Sequence, residues 1–451
     1  MLRPNKFCRP ISALTLIVSL GLGQSMSVQA TEKTADPLLV TYSNIALDAY
    51  GSAESDAKKL QQSLATFSNA TTADNLAAAK KAWLVSRESY GKTEIFRLSN
   101  GPVDAEEGWV GEAYGALEGQ INAWPLDENM IDYTIDAQGH RTSGNIIDTK
   151  GQFNPGGEDA EPVDTTSITV DVITALNENG GDANVASGYH AIEFLLWGQD
   201  QDYEDFLADS VTNGALVAGQ RPLTDFTGGQ FAKRRLAYLN TAADKLLADL
   251  GVIGGAWSKE TSTNCDKEAT GCYRAALLGQ LKGKDAAKNI PRDAALKQIV
   301  AGMGVFLKSE LANERIAVAV LTPSEEDEHS CFSDNTHRDI ALNYLGFVNI
   351  LKGQYDGKGY GDSVYAQSSA KTRATIDGLI TAIDAKVAHV NELAQNKWHF
   401  DYQIMPGNNV KEIRKMKNEM RKLGDAMVLV ANDLGLSLTE EDMTDPEETK
   451  F

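Results

Sequence analysis

The stretch GYHAIEFLLWGQD, residues 188–200, is apolar on almost every side of the helix that it predicts, and such a helix lies inside a protein. Segments with a 3.6-residue apolar period recur before and after it, and no convincing set of alternating strands separates them. We therefore predict an all-α fold, in which long helices joined by short turns form bundles. The predicted helices span residues 37–67, 73–98, 105–123, 167–179, 184–198, 228–250, 270–282, 292–320, 335–352, 367–396 and 409–434.

Two polar residues interrupt this apolar helix. His190 and Glu193 are three positions apart and therefore project from the same side. A buried carboxylate without a partner is strongly disfavoured, so Glu193 needs a hydrogen-bond donor, a cation or a metal ion. The pair is either a hydrogen-bonded core pair or one half of a metal site, and it lacks the second histidine of H-E-x-x-H. Gly188 lets another helix approach closely.

Other helices offer candidates for the missing half of such a site. Trp83, Arg87, Tyr90 and Glu94 follow at intervals of four, three and four, which is the spacing of one helical face. An ordinary amphipathic helix with an ion pair at its edge gives the same pattern. In the predicted helix 292–320, Glu310 lies on the apolar side, and Arg315 reaches the same region only obliquely.

The densest polar segment is SEEDEHSCFSDNTHRD, residues 324–339. Its spacing fits no closed zinc pattern. We favour a structural role, in which Ser333 or Asp334 caps a helix that begins near Asn335 and acids occupy the first turn. The residues of metal-binding type in this segment are His329, Cys331, Asp334, His337 and Asp339. No nucleophile elbow, phosphate loop or dinucleotide fingerprint stands in a suitable context elsewhere.

The chain divides by composition into five parts. Residues 1–30 resemble a cleaved secretory signal, and Cys8 precedes its apolar core, so we expect no lipid anchor. An N-terminal bundle follows at 31–251, with an inserted surface loop at 136–166 that is rich in Gly, Asp and Pro. The boundary between the two halves lies at 252–272, the C-terminal bundle spans 252–436, and an acidic tail follows at 437–451.

Charge and cysteines restrict the functional class. Removing the signal takes away three basic residues and no acids, which changes the net charge from −21 to −24. So acidic a chain is a poor nucleic-acid binder. Because an exported protein meets an oxidising compartment, we expect Cys265 and Cys272 to form a disulfide and Cys331 to remain a buried thiol. We expect a periplasmic protein without a membrane span.

Three stretches together carry a family resemblance. G-x-H-x-x-E at residues 188–193, SELANERI at 309–316 and HSCFSDNTH at 329–337 resemble the imelysin family of bacterial envelope proteins, in its iron-regulated protein A-like branch. The resemblance implies two helical bundles, a cleft that contains the G-x-H-x-x-E pair, and a link to iron supply. It also implies metal binding through His190 and Glu193 with acids from other helices, matched here by Glu94 and by Asp127 or Asp132.

Three functions remain open at this stage. The first is a periplasmic protein that binds a metal ion, such as iron or zinc, or an iron-containing ligand for an envelope iron-uptake partner. Arg87 or Arg315 would then balance the acids or hold a carboxylate-bearing ligand, with His329 and Glu310 as supporting residues. The second is a metallopeptidase that uses a metal-bound water. The third is a metal-free module that binds a partner protein, haem or a glycan.

Overall fold

The fold is all-α, as predicted. A computed structural model describes residues 35–136, 138–200, 218–321 and 328–445. Its longer helices are α1 (Pro37–Asn69), α2 (Ala73–Tyr90), α7 (Gly188–Trp197), α9 (Ala232–Ala256), α11 (Arg292–Val305), α13 (Thr336–Lys352), α15 (Ala370–Asn396) and α17 (Val410–Asp425). A π-helix, Phe306–Ala317, continues α11. The described strands form two short antiparallel pairs, β1 (Gln152–Phe153) with β2 (Val163–Asp164) and β3 (Gln354–Tyr355) with β4 (Lys358–Gly359).

Shorter helices connect these elements. They are α3 (Gly108–Tyr114), α4 (Glu118–Asn122), α5 (Glu128–Ile131), α6 (Val170–Leu176), α8 (Thr224–Thr227), α10 (Cys272–Leu277), α12 (Val318–Leu321), α14 (Val364–Gln367), α16 (Phe400–Ile404) and α18 (Met427–Asp433). Single 3₁₀ segments lie at Glu94–Phe96, Gly283–Lys288 and Glu441–Met443.

The long helices pack in two groups. In the first group α1 lies against α2 and α9, and α7 packs against α2 and α9. In the second, the π-helix contacts α11, α13 and α17, and α15 contacts α13 and α17. Helix α13 also touches α2, which joins the groups, and the residues from Ala35 onward form one compact unit. The division of this unit at 252–272 stays a prediction.

Helix α7 lies at the centre of the first group. Every residue from Gly188 to Trp197 is buried, as its apolar sequence predicts. A side chain of ordinary size at Gly188 would collide with the carbonyl oxygen of Ile121, and the φ of this glycine is +82°. The close approach of α4 therefore requires glycine at this position.

Two predicted helices differ from the observed ones near the site. The predicted helix 73–98 ends at Tyr90, so Glu94 lies in a separate 3₁₀ turn rather than on the α2 face. A bulky side chain at Gly91 would crowd Leu342 of α13, and the Thr93 hydroxyl donates to the Tyr90 carbonyl after the helix end. The predicted helix 105–123 is interrupted and forms α3 and α4.

The predicted surface loop 136–166 is partly buried. Ile146 and Ile147 lie in the core, and Arg234 of α9 donates hydrogen bonds to the carbonyl oxygens of Ile146, Thr149 and Thr165. A single guanidinium has five donors, which suits it to organise several carbonyl groups of an irregular segment. Polar composition alone did not indicate this anchoring.

Cys265 and Cys272 are joined by a disulfide, and Cys331 is buried outside it. No helix in the described ranges combines the length and apolarity needed to cross a membrane. The predicted signal, residues 1–30, and the tail beyond residue 445 lie outside the described residues.

Candidate functional site

The structure places His190 and Glu193 in direct contact inside the core. Both side chains are fully buried, and His190 Nδ1 lies 2.9 Å from Glu193 Oε2. The hydrogen-bonded core pair that the sequence allowed is thus present. This hydrogen bond uses one ring nitrogen of His190 and one carboxyl oxygen of Glu193. The other ring nitrogen and the other oxygen both contact the segment that precedes α13.

That segment supplies a second histidine. His329 Nε2 lies 3.2 Å from His190 Nε2, and His329 Nδ1 lies 2.8 Å from Asp339 Oδ2. Asp339 also accepts a hydrogen bond from the Ser330 hydroxyl. The four side chains Glu193, His190, His329 and Asp339 form one continuous row, which we call the His–His row.

The capping role predicted for Ser333 and Asp334 is wrong. The N-cap residue of α13 is Asn335, whose side chain makes no capping hydrogen bond. Ser333 instead donates two hydrogen bonds to Glu193 Oε1, from its backbone amide at 3.0 Å and from its hydroxyl at 2.6 Å. The buried carboxyl of Glu193 outcompetes the helix end for these donors because an unsatisfied buried acceptor costs more than a solvated one.

Burial favours the neutral form of the side chains in the His–His row, and at Asp339 alone other groups outweigh it. Burial raises the pKa of Glu193 to about 8, against the opposing hydrogen bonds from Ser333. Burial and the neighbouring His329 hold the pKa of His190 well below its usual range. Burial and then Arg315 lower the pKa of His329 to about 4, although its contact with Asp339 opposes this.

Asp339 is the ionised end of the row. Burial disfavours its charge, yet Arg87, His329 and Ser330 together hold its pKa well below the ordinary range. One proton in each of the three hydrogen bonds of the row then gives every hydrogen bond one donor and one acceptor. Glu193 donates to His190 Nδ1, His190 Nε2 donates to His329 Nε2, and His329 Nδ1 donates to Asp339. This tautomer assignment follows from the count of donors and acceptors.

Arg87 fixes the ionised end from α2. Its Nη2 lies 2.9 Å from Asp339 Oδ1 and 3.7 Å from Glu94 Oε1, and its side chain is fully buried. The guanidinium sits among the rings of Trp83, Tyr90 and Tyr189, with centroids 5.8, 5.4 and 5.1 Å away. The aromatic face predicted for α2 therefore surrounds this cation, a favourable arrangement for a desolvated guanidinium.

The structure does not bring the predicted acids Glu94 and Asp127 onto His190. Glu94 accepts hydrogen bonds from Arg315 and from the Asn343 amide. Asp127 accepts from the Asn129 amide at the start of α5. Asp132, the alternative to Asp127, bonds Arg221 at 2.6 Å and Arg235. The role of Glu94 and Asp127 as metal ligands stays a prediction.

Arg315 and Glu310 meet directly, contrary to the oblique placement expected for an α-helix. Arg315 Nη2 lies 2.8 Å from Glu310 Oε1. The reason is the π-helix Phe306–Ala317, whose wider turn brings residues five positions apart to one side. Burial disfavours the charge of Glu310, but Arg97 and Arg315 lower its pKa to about 2.

A polar cavity of about 230 Å³ opens beside His329. Two arginines and several acids line it, so its lining carries more negative than positive side chains. Trp124 lines the cavity as well, with its ring centroid 5.0 Å from that of His190. The charged lining residues are Arg97, Glu118, Glu178, Asp182, Glu310, Glu314 and Arg315. A second cavity, of about 360 Å³, is also lined by Trp124 and includes Asp127 and Asp200.

No three His, Cys, Asp or Glu side chains of the described residues already converge as a metal site.

A family model described as Imelysin, Peptidase_M75, matches residues 46–427. The chain belongs to the imelysin family.

Two other proteins are similar to this chain, one in sequence and one in fold. The chain is 26% identical over 310 residues to "Iron-regulated protein A" of Synechococcus elongatus, a match that covers 69% of this chain and 62% of that protein. The chain therefore spans less than two thirds of that relative's length. A crystal structure of a putative iron-regulated protein A precursor from Parabacteroides distasonis has a TM-score of 0.57 at 17% identity. It covers 90% of this chain and 97% of that one, so the two share the fold.

The sequence indicated the pair His190 and Glu193, but not the contacts of His329 and Ser333 with that pair or the contact of Asp339 with His329. His190 and His329 are 139 positions apart, so no helical spacing relates them. The signal that was available is the run HSCFSDNTH, which groups ligand-type residues in a segment with few apolar side chains.

Proposed function

We propose that this protein binds a transition-metal ion, iron in the first place, between His190 and His329, and serves iron acquisition in the bacterial envelope. The observation that carries the proposal is the 3.2 Å separation of the two Nε2 atoms. Two nitrogen ligands about 2.0–2.1 Å from one tetrahedral ion are separated by about 3.3 Å. The donor pair therefore fits a common ion.

The outer nitrogens support the same proposal. Histidines that bind metals usually donate their second ring N–H to a carboxylate, which fixes the ring and raises its basicity. Glu193 faces Nδ1 of His190, and Asp339 faces Nδ1 of His329. In this proposal Glu193 orients a ligand rather than serving as one, which differs from the direct role expected from the sequence.

The cavity beside His329 suits the approach of a cation. Its lining includes Glu118, Glu178, Asp182 and Glu314, and the two arginines of the lining, Arg97 and Arg315, are held in ion pairs. A cleft lined by an excess of one charge raises the local concentration of the opposite ion. Remaining coordination positions would face this cavity and take water or a group of an iron-bearing ligand.

Iron is favoured over other metals by the family relative rather than by the ligands. Imidazole suits iron, zinc, copper and nickel alike. The matching relative from Synechococcus elongatus is named for its regulation by iron. A role in iron supply within the envelope follows from that name together with the signal-like residues 1–30, and it belongs to the proposal.

Binding is favoured over peptide hydrolysis by the occupancy of Glu193. A metallopeptidase needs a general base within reach of the metal-bound water. One oxygen of Glu193 contacts His190 Nδ1 and the other accepts two hydrogen bonds from Ser333. Glu193 is also not among the residues that line the cavity beside His329.

The test is a metal titration of the mature protein, by calorimetry under anaerobic conditions, with Fe²⁺ and with Zn²⁺. We expect one ion per chain, and loss of binding in His190→Ala and in His329→Ala. His140→Ala is the matched control, because the His140 side chain is largely exposed in the 136–166 segment. Equal binding by all four proteins would contradict the site, and no binding by the unsubstituted protein would favour a metal-free module.

A further inference from the structure

Helix α17 presents a row of positive charges to solvent. Its fully exposed residues include four cations and no acid, and they are Lys411, Arg414, Lys415, Asn418 and Lys422. With about 3.6 residues per turn, these positions fall within an arc of about 100° on one side of the helix. We call this side the α17 cationic face.

The opposite side of α17 is fixed in the core. Ile413, Met416, Met420 and Leu423 are completely buried, and the helix packs against α15 and the π-helix. The apolar residues of α17 therefore belong to the fold, and the side that a partner can reach is the cationic one. Binding through it would be electrostatic.

The acids of α17 leave most of this charge uncompensated. The helix contains three acids, and they pair with one cation each: Glu412 with Lys415 at 2.7 Å, Glu419 with Lys386 at 2.8 Å and Asp425 with Lys308 at 2.7 Å. The first of these pairs alone uses a cation of the α17 cationic face, and such exposed pairs contribute little. The other cations of the face form no ion pair with any residue that the structure describes, and they are Lys411, Arg414 and Lys422.

The α17 cationic face differs in charge from the rest of the protein. The whole chain has a net charge of −21, and the fully exposed Lys, Arg, Asp and Glu residues of the neighbouring α15 are one lysine and three acids. Cations three or four positions apart on a helix repel one another, as Lys411 does Arg414 and Lys415. The row therefore lowers the stability of the helix by itself, and a polyanionic partner would remove this repulsion.

We infer that the α17 cationic face docks on a membrane surface that contains anionic phospholipids, without insertion into the bilayer. Clusters of four or more lysines and arginines on an amphipathic helix are typical of such binding. The phosphate headgroups of a fluid bilayer move laterally, so they can match a convex row of long, flexible side chains. An acidic protein would need a concave surface of fixed charges to make the same contacts.

The acidic remainder of the chain does not prevent this contact. At about 0.15 M salt, charges are screened over about 8 Å, so acids that lie farther than this from the bilayer add little repulsion. Each lysine or arginine near an anionic surface contributes about fivefold in affinity. The four cations should therefore give reversible binding that is sensitive to salt. The inference does not rest on the proposed function, since it needs no metal ion.

The test is co-sedimentation of the mature protein with lipid vesicles, without residues 1–30 because these are basic and apolar themselves. At about 0.15 M salt we expect binding to phosphatidylcholine vesicles with about one third phosphatidylglycerol, and no binding to pure phosphatidylcholine. Salt of about 1 M should abolish binding, because it shortens the screening length to about 3 Å. The combined variant Lys411→Gln, Arg414→Gln and Lys422→Gln should bind about 100-fold more weakly.

The matched control removes the same amount of charge elsewhere. The combined variant Lys58→Gln, Lys81→Gln and Lys233→Gln replaces exposed lysines of α1, α2 and α9, and it should bind like the unsubstituted protein. All six substituted side chains are exposed, so both variants should keep the melting temperature of the unsubstituted protein.

Two results would overturn the inference. Absence of binding to the anionic vesicles, or equal binding to the neutral ones, would mean that the α17 cationic face is not a docking surface for anionic lipid. Equal weakening by the two combined variants would show that binding follows the net charge of the chain rather than this face.

Discussion

The proton that folding places on Glu193 should make stability depend on pH, and Glu193→Gln should remove that dependence. Burial raises the pKa of Glu193 from 4.5 to about 8 in the folded protein. Between these values the folded chain holds one proton more than the unfolded chain. The free energy of unfolding therefore falls as pH rises through this window.

The magnitude follows from the width of the window. Each pKa unit corresponds to about 1.4 kcal/mol, so linkage predicts a loss of about 3 kcal/mol from Glu193 between about pH 5 and about pH 7.5. His329 and His337, whose pKa values lie near 4, oppose this loss below pH 6.5 because the unfolded chain binds more protons there. Only the difference between the variant and the unsubstituted protein isolates Glu193.

The assay is urea unfolding of both proteins at the two pH values, with a chelator present. Gln keeps the size of Glu193 and accepts from Ser333, but it does not titrate. On going to the higher pH, the unsubstituted protein should lose about 3 kcal/mol more than Glu193→Gln does. Parallel pH profiles would refute the neutral Glu193 on which the proton arrangement of the His–His row depends. The exposed Glu392→Gln substitution should leave the profile unchanged.

Three further predictions concern the surroundings of the His–His row. Arg87→Met should cost about 3–5 kcal/mol in urea unfolding because it leaves buried acids uncompensated, whereas Arg292→Met, in an exposed ion pair, should cost about 1 kcal/mol or less. Gly188→Ala should cost at least about 1–3 kcal/mol in the same assay, from its positive φ and its collision with Ile121, and no change would contradict that packing. The pKa of Glu310 is lowered to about 2, so its contribution to stability is complete above about pH 4.5 and is lost as the pH falls to about 2. Over this range the free energy of unfolding of the unsubstituted protein should fall by about 3 kcal/mol more than that of Glu310→Gln, as measured by thermal unfolding.

The helices were predictable because the apolar pattern that indicates a helix lies within a short stretch of the sequence. The apolar period of α7, α9, α13 and α15 is visible in a window of a few turns, and the observed bounds differ from the predicted ones by a few residues. The ends of helices were less predictable where another element sets them. Helix α2 ends at Tyr90 because Gly91 lies against α13, a contact with no trace in the local sequence.

The candidate site was predictable only in its helical half. His190 and Glu193 are recognisable because polar residues in an apolar helix are unusual. Ser333 or Asp334 was predicted to cap a helix, with acids in its first turn, because serines and acids before a helix most often cap it, and the contacts of His329, Ser333 and Asp339 were not predicted. Their distant partners, His190, Glu193 and Arg87, lie more than a hundred positions away along the chain. The packing of α13 against α2 and the contact of the preceding segment with α7 bring them together. The meeting of Arg315 with Glu310 required the π-helix, which has no simple periodic signal.

The two interpretations of the pair His190 and Glu193, a core hydrogen bond and half of a metal site, describe two protonation states of the same residues. Without metal, three protons serve the three hydrogen bonds of the His–His row, and one of them lies between the two Nε2 atoms. A metal ion at that position needs both Nε2 lone pairs, so the proton must leave. Glu193 would then ionise and accept from His190 Nδ1, as Asp339 already does from His329. Two protons would remain where three were, so the binding of one ion would release one proton. The raised pKa of Glu193 thus keeps this carboxyl neutral in the metal-free row, and its ionisation would supply the negative charge that a bound cation would need.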